Sequence, residues 1–260
     1  PRGDGPVSDL PTGPDVTLPA RFEAFVDERS VTSFLVLQDG AVVKEAYYQG
    51  TGPDDLRIGW SLAKSYLSAL VGVLLEDGAI PARDVQVTDY APALRGTAYD
   101  GVTLEHVMTM TAGVSFSENV LDPDSDINRM GRGVALGQAL DNFTAGLKDR
   151  VAEPGETWRY VSMDTHVIGM VIRGATGRDV AGLLSEKIIA PLGVEQAHYY
   201  MTDGAGVAFV LGGVNATTRD FARFGQMMLQ DGVWGGAQVV PADWAQLSMS
   251  PVAPPPEGAL

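Results

Sequence analysis

Residues 59–80, GWSLAKSYLSALVGVLLEDGAI, hold the decisive pattern of this chain. From Ser61 onward the segment reads as a helix, with a serine suited to an N-cap at one end and Gly78 suited to a C-terminal stop at the other. Leu62, Ala63, Tyr66, Leu67, Ala69, Leu70, Val71, Val73, Leu74 and Leu75 leave almost no polar face. A helix that is apolar nearly all round belongs at the centre of a larger fold, because little of its surface can face water favourably.

One residue breaks the pattern. Lys64 lies in the first turn, where the positive end of the helix dipole disfavours a cation by roughly 0.3–1 kcal/mol. A bland reading makes Ser61 a helix cap and Lys64 a solvent-seeking side chain. The alternative starts from the spacing: three residues apart on a helix, the two share a face, and the amine can take the proton of the hydroxyl. Desolvation in this apolar helix and the nearby dipole would both favour the neutral amine that a base requires.

Working outward, residues 33–50, SFLVLQDGAVVKEAYYQG, read as two strands joined at Asp39-Gly40, a pair that tolerates the positive φ angles of a tight hairpin. Helices are expected within residues 103–113, 133–149, 164–177, 178–189 and 217–232, several of them closing near a glycine. One hairpin makes a poor sheet by itself, so the strands that complete it are expected to be missing from residues 1–260, in a C-terminal part. The expected fold class is α/β in the α+β sense: one domain over residues 1–260, with an antiparallel sheet begun near residues 33–48, flanking helices, and a helical region over about residues 80–205. The proline-rich end, SPVAPPPEGAL (250–260), reads as a loop, and the chain as a fragment of something longer.

The Ser61 segment resembles the nucleophile segment of class C β-lactamases, D,D-peptidases and related esterases, with their Ser-x-x-Lys motif intact. TLEHVMTMTAGV (103–114) resembles the segment that follows it. In ETWRYVSMDTHVIGMVIRGATG (156–177), Tyr160-Val161-Ser162 falls on the family's Tyr-x-Asn motif, with Ser162 replacing the more usual Asn. That replacement, with GGVNATTRDFARFG (212–225), is closer to the branch of 6-aminohexanoate-dimer hydrolase and its carboxylesterase relatives.

The resemblance implies a β-lactamase/transpeptidase-like fold and a serine hydrolase that works through an acyl-enzyme on Ser61. Lys64 would accept the serine proton and Tyr160 would relay a proton to the leaving group. Ser162 would orient Tyr160 or contact substrate, and Asn215 would sit at the cleft edge; ordinary turn or cap duty is the competing role for both. A third family motif, a Gly-containing strand that helps form the oxyanion hole, does not occur before Leu260. The implied substrate is a small ester, amide or lactam, and no cofactor is implied. The rival readings are a β-lactamase or D,D-peptidase acting on cell-wall-like substrates and, from another class, a non-catalytic binding scaffold.

Composition narrows the alternatives. A formal charge of −15 repels polyanions, which argues against nucleic acid as a partner. The absence of cysteine removes thiolate chemistry and cysteine-ligated zinc, and is compatible with either a cytoplasmic or a periplasmic setting. Glu76 and Asp77 interrupt the longest apolar run well before the ~20 residues of a membrane span, and residues 1–20 lack the layout of a signal peptide. Asp122, Asp124 and Asp126 alternate like the start of a calcium loop, but Ile127 stands at the required glycine and Gly133 at the terminal glutamate. His106, His166 and His198 are far apart and form no metal pattern, so no metal is expected. Neither Gly-x-Ser-x-Gly nor a phosphate-binding glycine loop is present.

Overall fold

In the computed structural model, which describes residues 5–251, the apolar segment is helix α2 (Leu62–Glu76), and most of its side chains lie at the centre of the main core. In chain order the helices are α1 (Arg21–Glu28), α2, α3 (Val87–Tyr90), α4 (Leu104–Met108), α5 (Asp126–Ala135), α6 (Leu140–Ala145), α7 (Ser162–Thr176), α8 (Val180–Leu184), α9 (Ala190–Leu192), α10 (Thr218–Leu229) and α11 (Ala242–Ser248). A π turn over Ser185–Ile189 links α8 to α9. The strands are β1 (Ser33–Gln38), β2 (Ala41–Tyr47), β3 (Arg57–Ile58), β4 (Tyr199–Tyr200), β5 (Val214–Ala216), β6 (Val233–Trp234) and β7 (Ala237–Gln238). The architecture is of the expected α+β kind, helices packed with short antiparallel sheets.

The hairpin β1–β2 forms where the alternation and Asp39-Gly40 place it. Both turn residues are left-handed, φ 51° and 78°, the geometry that matches strand twist in a two-residue loop. Further short strands, which the sequence reading did not place, form within the described residues but do not extend this hairpin. They make a separate sheet in the order β3-β5-β4 and a small ribbon of β6 and β7. The hairpin's β2 edge is met by the N-terminal segment, through Gly13 N–H to Val42 O at 2.9 Å and Val16 N–H to Val43 O at 3.0 Å. The proline-rich run over residues 252–260 lies outside the described residues.

Two long helices form the frame. On α7 the run from Ser162 to Ile172 is buried, and Gly177 ends the helix in the left-handed conformation, φ 66°. α2 packs against α7 and α8, and Tyr66 of α2 stacks on Phe224 of α10 at 3.9 Å between ring centroids. Burying each such large apolar side chain contributes roughly 1.5–3 kcal/mol. α11 docks on α2 at a bare spot: a Cβ on Gly72 would lie 2.4 Å from the Trp244 ring, whose Nε1 donates to Ser68 O at 2.9 Å. The pattern read over residues 133–149 as one helix is instead α5 and α6, divided by Gly137 at φ 79°.

Charge is used to lash the chain together. Arg223 of α10 is fully buried, yet it pairs with Asp220 at 3.0 Å and Glu195 at 2.7 Å and donates to Ser8 O at 2.8 Å. The Ser8 hydroxyl in turn donates to Leu192 O at 2.6 Å. A buried guanidinium is tolerable only when its donors are satisfied in this way.

Candidate active site

β3 runs straight into α2. Gly59 N–H donates to Val214 O of β5 at 2.7 Å, so the residues just before Ser61 are pinned to the three-stranded sheet. Trp60 then turns the chain with φ 44°, and Ser61 is already helical, φ −63° and ψ −11°. The bland alternative, Ser61 as a helix cap, does not describe its hydroxyl. The residue stands at the N-cap position, but its hydroxyl bonds no helical N–H; an αR backbone does not aim it there. Instead Ser61 Oγ lies 2.8 Å from the Tyr160 hydroxyl and accepts from Lys64 Nζ at 3.2 Å.

Lys64 is half-buried, and its amine has a second partner, the main-chain carbonyl of Leu211 at 2.7 Å. It also stands 5.3 Å from the centre of the Tyr160 ring. The amine is thus held between a hydroxyl, a carbonyl and an aromatic face, an arrangement that fixes its direction more than a solvated lysine would allow.

Tyr160 is delivered by a loop rather than by a helix. The chain over residues 151–160 is stitched to residues 110–113 by four main-chain bonds: Arg159 N–H to Met110 O at 2.9 Å, Gly155 N–H to Thr111 O at 2.8 Å, and Val151 N–H and Ala152 N–H to Gly113 O at 2.8 and 3.4 Å. Gly113 has φ 73°, and a Cβ there would sit 2.2 Å from Ala152 O, so only glycine permits this approach. TLEHVMTMTAGV thus builds a seat for the tyrosine loop.

Ser162 does not reach the cluster of Ser61, Lys64 and Tyr160. It is the first residue of α7, and both its main-chain N–H and its hydroxyl donate to the carboxylate of Glu118, the hydroxyl at 3.1 Å. The negative charge of Glu118 therefore sits at the helix N-terminus, its favourable end. Asn215 lies on β5, paired with Ile58 on one side and Tyr199 on the other, and its Nδ2 donates to Gly213 O at 2.9 Å. It belongs to the same sheet that pins the Ser61 approach, but makes no hydrogen bond to Ser61. The Leu211 carbonyl and Glu118 escaped the sequence reading, the first because a main-chain oxygen has no residue signature.

Several other titratable groups have structural partners. Burial raises the Asp164 carboxyl well above its usual range; a hydrogen bond from Tyr99 at 2.9 Å opposes this and the charge of Glu118 adds to it. Burial would also raise Asp141, but hydrogen bonds from His166 and Arg173, both at 2.7 Å, more than offset it and hold that carboxyl low. His106 closes a capping box with Thr103 on α4. Burial pushes the His198 imidazole down to about 4, with Asp220 pulling the other way. Asp126 accepts from Ser117 N–H, and Asp122 from Asp124 N–H, both at 2.9 Å, so these two carboxylates of the alternating triplet brace their own loop. Among the described residues no three acidic or histidine side chains group as a metal site, and no helix is long and apolar enough to cross a membrane.

Comparison with known proteins places this geometry in context. A 6-aminohexanoate-dimer hydrolase of Paenarthrobacter ureafaciens is 32% identical over 231 residues, which are 86% of this chain and 58% of that protein. Penicillin-binding protein 4* of Bacillus subtilis is 25% identical over 66% of this chain and 44% of its own length. The chain thus spans about half the length of these two curated relatives. Among solved structures, a Bacillus anthracis protein assigned to the 6-aminohexanoate-dimer hydrolases superposes with a TM-score of 0.81 over 92% of this chain and 67% of its own, at 24% identity. EstCE1, described as a hydrolase with promiscuous acyltransferase activity, gives 0.67 over 86% and 74% at 16% identity, a likeness of fold alone. The sequence profile of the Beta-lactamase family matches residues 18–259, and the chain accordingly belongs to that family.

Proposed function

We propose that this protein is a serine hydrolase that cleaves a small ester or amide through an acyl-enzyme on Ser61. The observation that carries the reading is the three-way contact of Ser61 Oγ with the Tyr160 hydroxyl at 2.8 Å and Lys64 Nζ at 3.2 Å. With its amine neutral, Lys64 takes the Ser61 proton as Oγ attacks the carbonyl carbon. The tetrahedral intermediate then expels the alcohol or amine, which receives its proton by way of Tyr160. Water attacks the acyl-enzyme in the second step, with the same groups acting in reverse, and the acid leaves.

Ser61 N–H donates to nothing among the described residues and lies at the N-terminus of α2, aimed as one donor to the oxyanion. Such a donor contributes roughly 3–4 kcal/mol to the transition state. Catalysis without a metal or cofactor fits this set of groups. Ser162 acts here as an anchor of α7 and Asn215 as a wall of the cleft. An amide substrate gains support from the Paenarthrobacter relative, whose name specifies the 6-aminohexanoate dimer.

The test is intact-protein mass after brief exposure to p-nitrophenyl butyrate. A butyryl adduct is expected on the wild type and absent from Ser61→Ala and Lys64→Ala. Full ester hydrolysis by Ser61→Ala would refute the assignment.

A further inference from the structure

Trp60 departs from two expectations at once. Its backbone is left-handed at φ 44°, a conformation in which a bulky residue is an outlier, and its side chain is 63% exposed. Large aromatics are normally buried, and strained backbone gathers where function demands a fixed display. The residue it displays beside is Ser61. The ring stands over the main chain at Gly212, where a Cβ would lie 3.5 Å from Trp60 Cε3. The next residue, Gly213, accepts from Met201 N–H at 2.9 Å, and a Cβ on it would meet Met201 Cβ at 3.2 Å. Met201 is 46% exposed and Tyr199, two residues back on β4, is 59% exposed. Asn215, paired with Tyr199, joins this surface to β5. An apolar strip of Trp60, Met201 and Tyr199 therefore adjoins the nucleophile, on the sheet side of Ser61.

We propose that this strip receives an apolar acyl group, so that the protein prefers substrates whose acyl portion carries a chain of several methylenes. The inference rests on the Ser61 acyl-enzyme reading. With Tyr160 serving the leaving group, the acyl portion is the part of the substrate left to lie along Trp60. Transferring one methylene fully from water is worth about fourfold in affinity, and a chain laid on one face of an exposed ring gains about half of that free energy, roughly twofold per methylene. Across the four methylenes that separate hexanoate from acetate the preference is then on the order of tenfold.

The experiment compares kcat/KM for p-nitrophenyl acetate, butyrate and hexanoate in the wild type, Trp60→Gly, Trp60→Phe and Ser61→Ala. The wild type should favour hexanoate over acetate by about tenfold, Trp60→Gly by no more than about twofold, and Trp60→Phe should restore most of the preference. Glycine accepts a positive φ, so Trp60→Gly should melt no lower than the wild type, which separates a lost surface from a damaged fold. A hexanoate-to-acetate ratio unchanged in Trp60→Gly, with hydrolysis still dependent on Ser61, overturns the acyl-strip proposal and leaves the hydrolase reading standing. Hydrolysis of these esters by Ser61→Ala at the wild-type rate overturns both.

Discussion

Gly174 and Gly225 are both helical glycines, one in α7 and one in α10, and the same substitution should act on them with opposite sign. Replacing a helix-interior glycine by alanine is worth about 1 kcal/mol in backbone propensity. At Gly225 nothing lies within 4 Å of the added Cβ, so that gain should appear almost whole. At Gly174 the Cβ would lie 2.0 Å from the carbonyl oxygen of Tyr90 and 2.7 Å from its carbon. An ordinary contact begins at 3.4 Å, so α7 and the end of α3 must separate by about 1.4 Å. The obstructing atoms are main chain and cannot escape by changing rotamer. Overpacking of this kind costs about 1–3 kcal/mol, and a clash with backbone belongs at the upper end. Gly174→Ala should therefore lose about 2 kcal/mol net, or roughly 4–8 °C in Tm, while Gly225→Ala gains up to about 1 kcal/mol. Urea unfolding at constant m-value measures both. If Gly174→Ala proves as stable as Gly225→Ala, the close approach of α3 and α7 is wrong and so is the reasoning built on it.

Two further outcomes concern the site and its surroundings. Tyr160→Phe keeps the ring beside Lys64 and removes only the hydroxyl at 2.8 Å from Ser61; kcat should fall about 10²- to 10⁴-fold with little change in Tm, and a kcat within threefold of the wild type would show that Tyr160 moves no proton. His198, lowered from 6.5 to about 4 chiefly by burial, binds its proton more readily unfolded than folded, so its contribution to stability is complete above about pH 6.5 and is lost as pH falls toward 4. The loss is on the order of 3 kcal/mol, and His198→Phe should flatten the stability profile in that window; an unchanged slope in the variant would assign the acid sensitivity elsewhere.

The features legible in the sequence are the ones written locally. Asp39-Gly40 specifies its own turn, and the mostly apolar run of residues 66–74 reads as interior, where nearly all of it lies. Lys64 announced itself by standing at the wrong end of a helix dipole. Other features depend on partners far along the chain. The hold of Leu211 on Lys64 spans 147 residues and uses a main-chain oxygen that any residue could supply. Glu118 meets Ser162 across 44 residues, so neither residue's surroundings reveal the pairing. Strands of two or three residues, such as β3, β4 and β5, are too short for an alternation to be read, and their pairing comes from the sheet rather than from propensity. Ser61 carried two readings for a related reason: Ser at a helix start signals capping on average, the spacing to Lys64 favours the other role, and only the position of Tyr160 shows where this hydroxyl is directed.

The lash between Ser8 and Arg223 also bears on the order of synthesis. Its two ends are 215 residues apart, so Ser8 must wait for the synthesis of α10 before its guanidinium partner exists. At elongation rates of about 5–20 residues per second the interval is roughly 10–40 s. Throughout that time Ser8 lacks its guanidinium partner, and after it Arg223 becomes a point at which two segments made far apart in time are brought together.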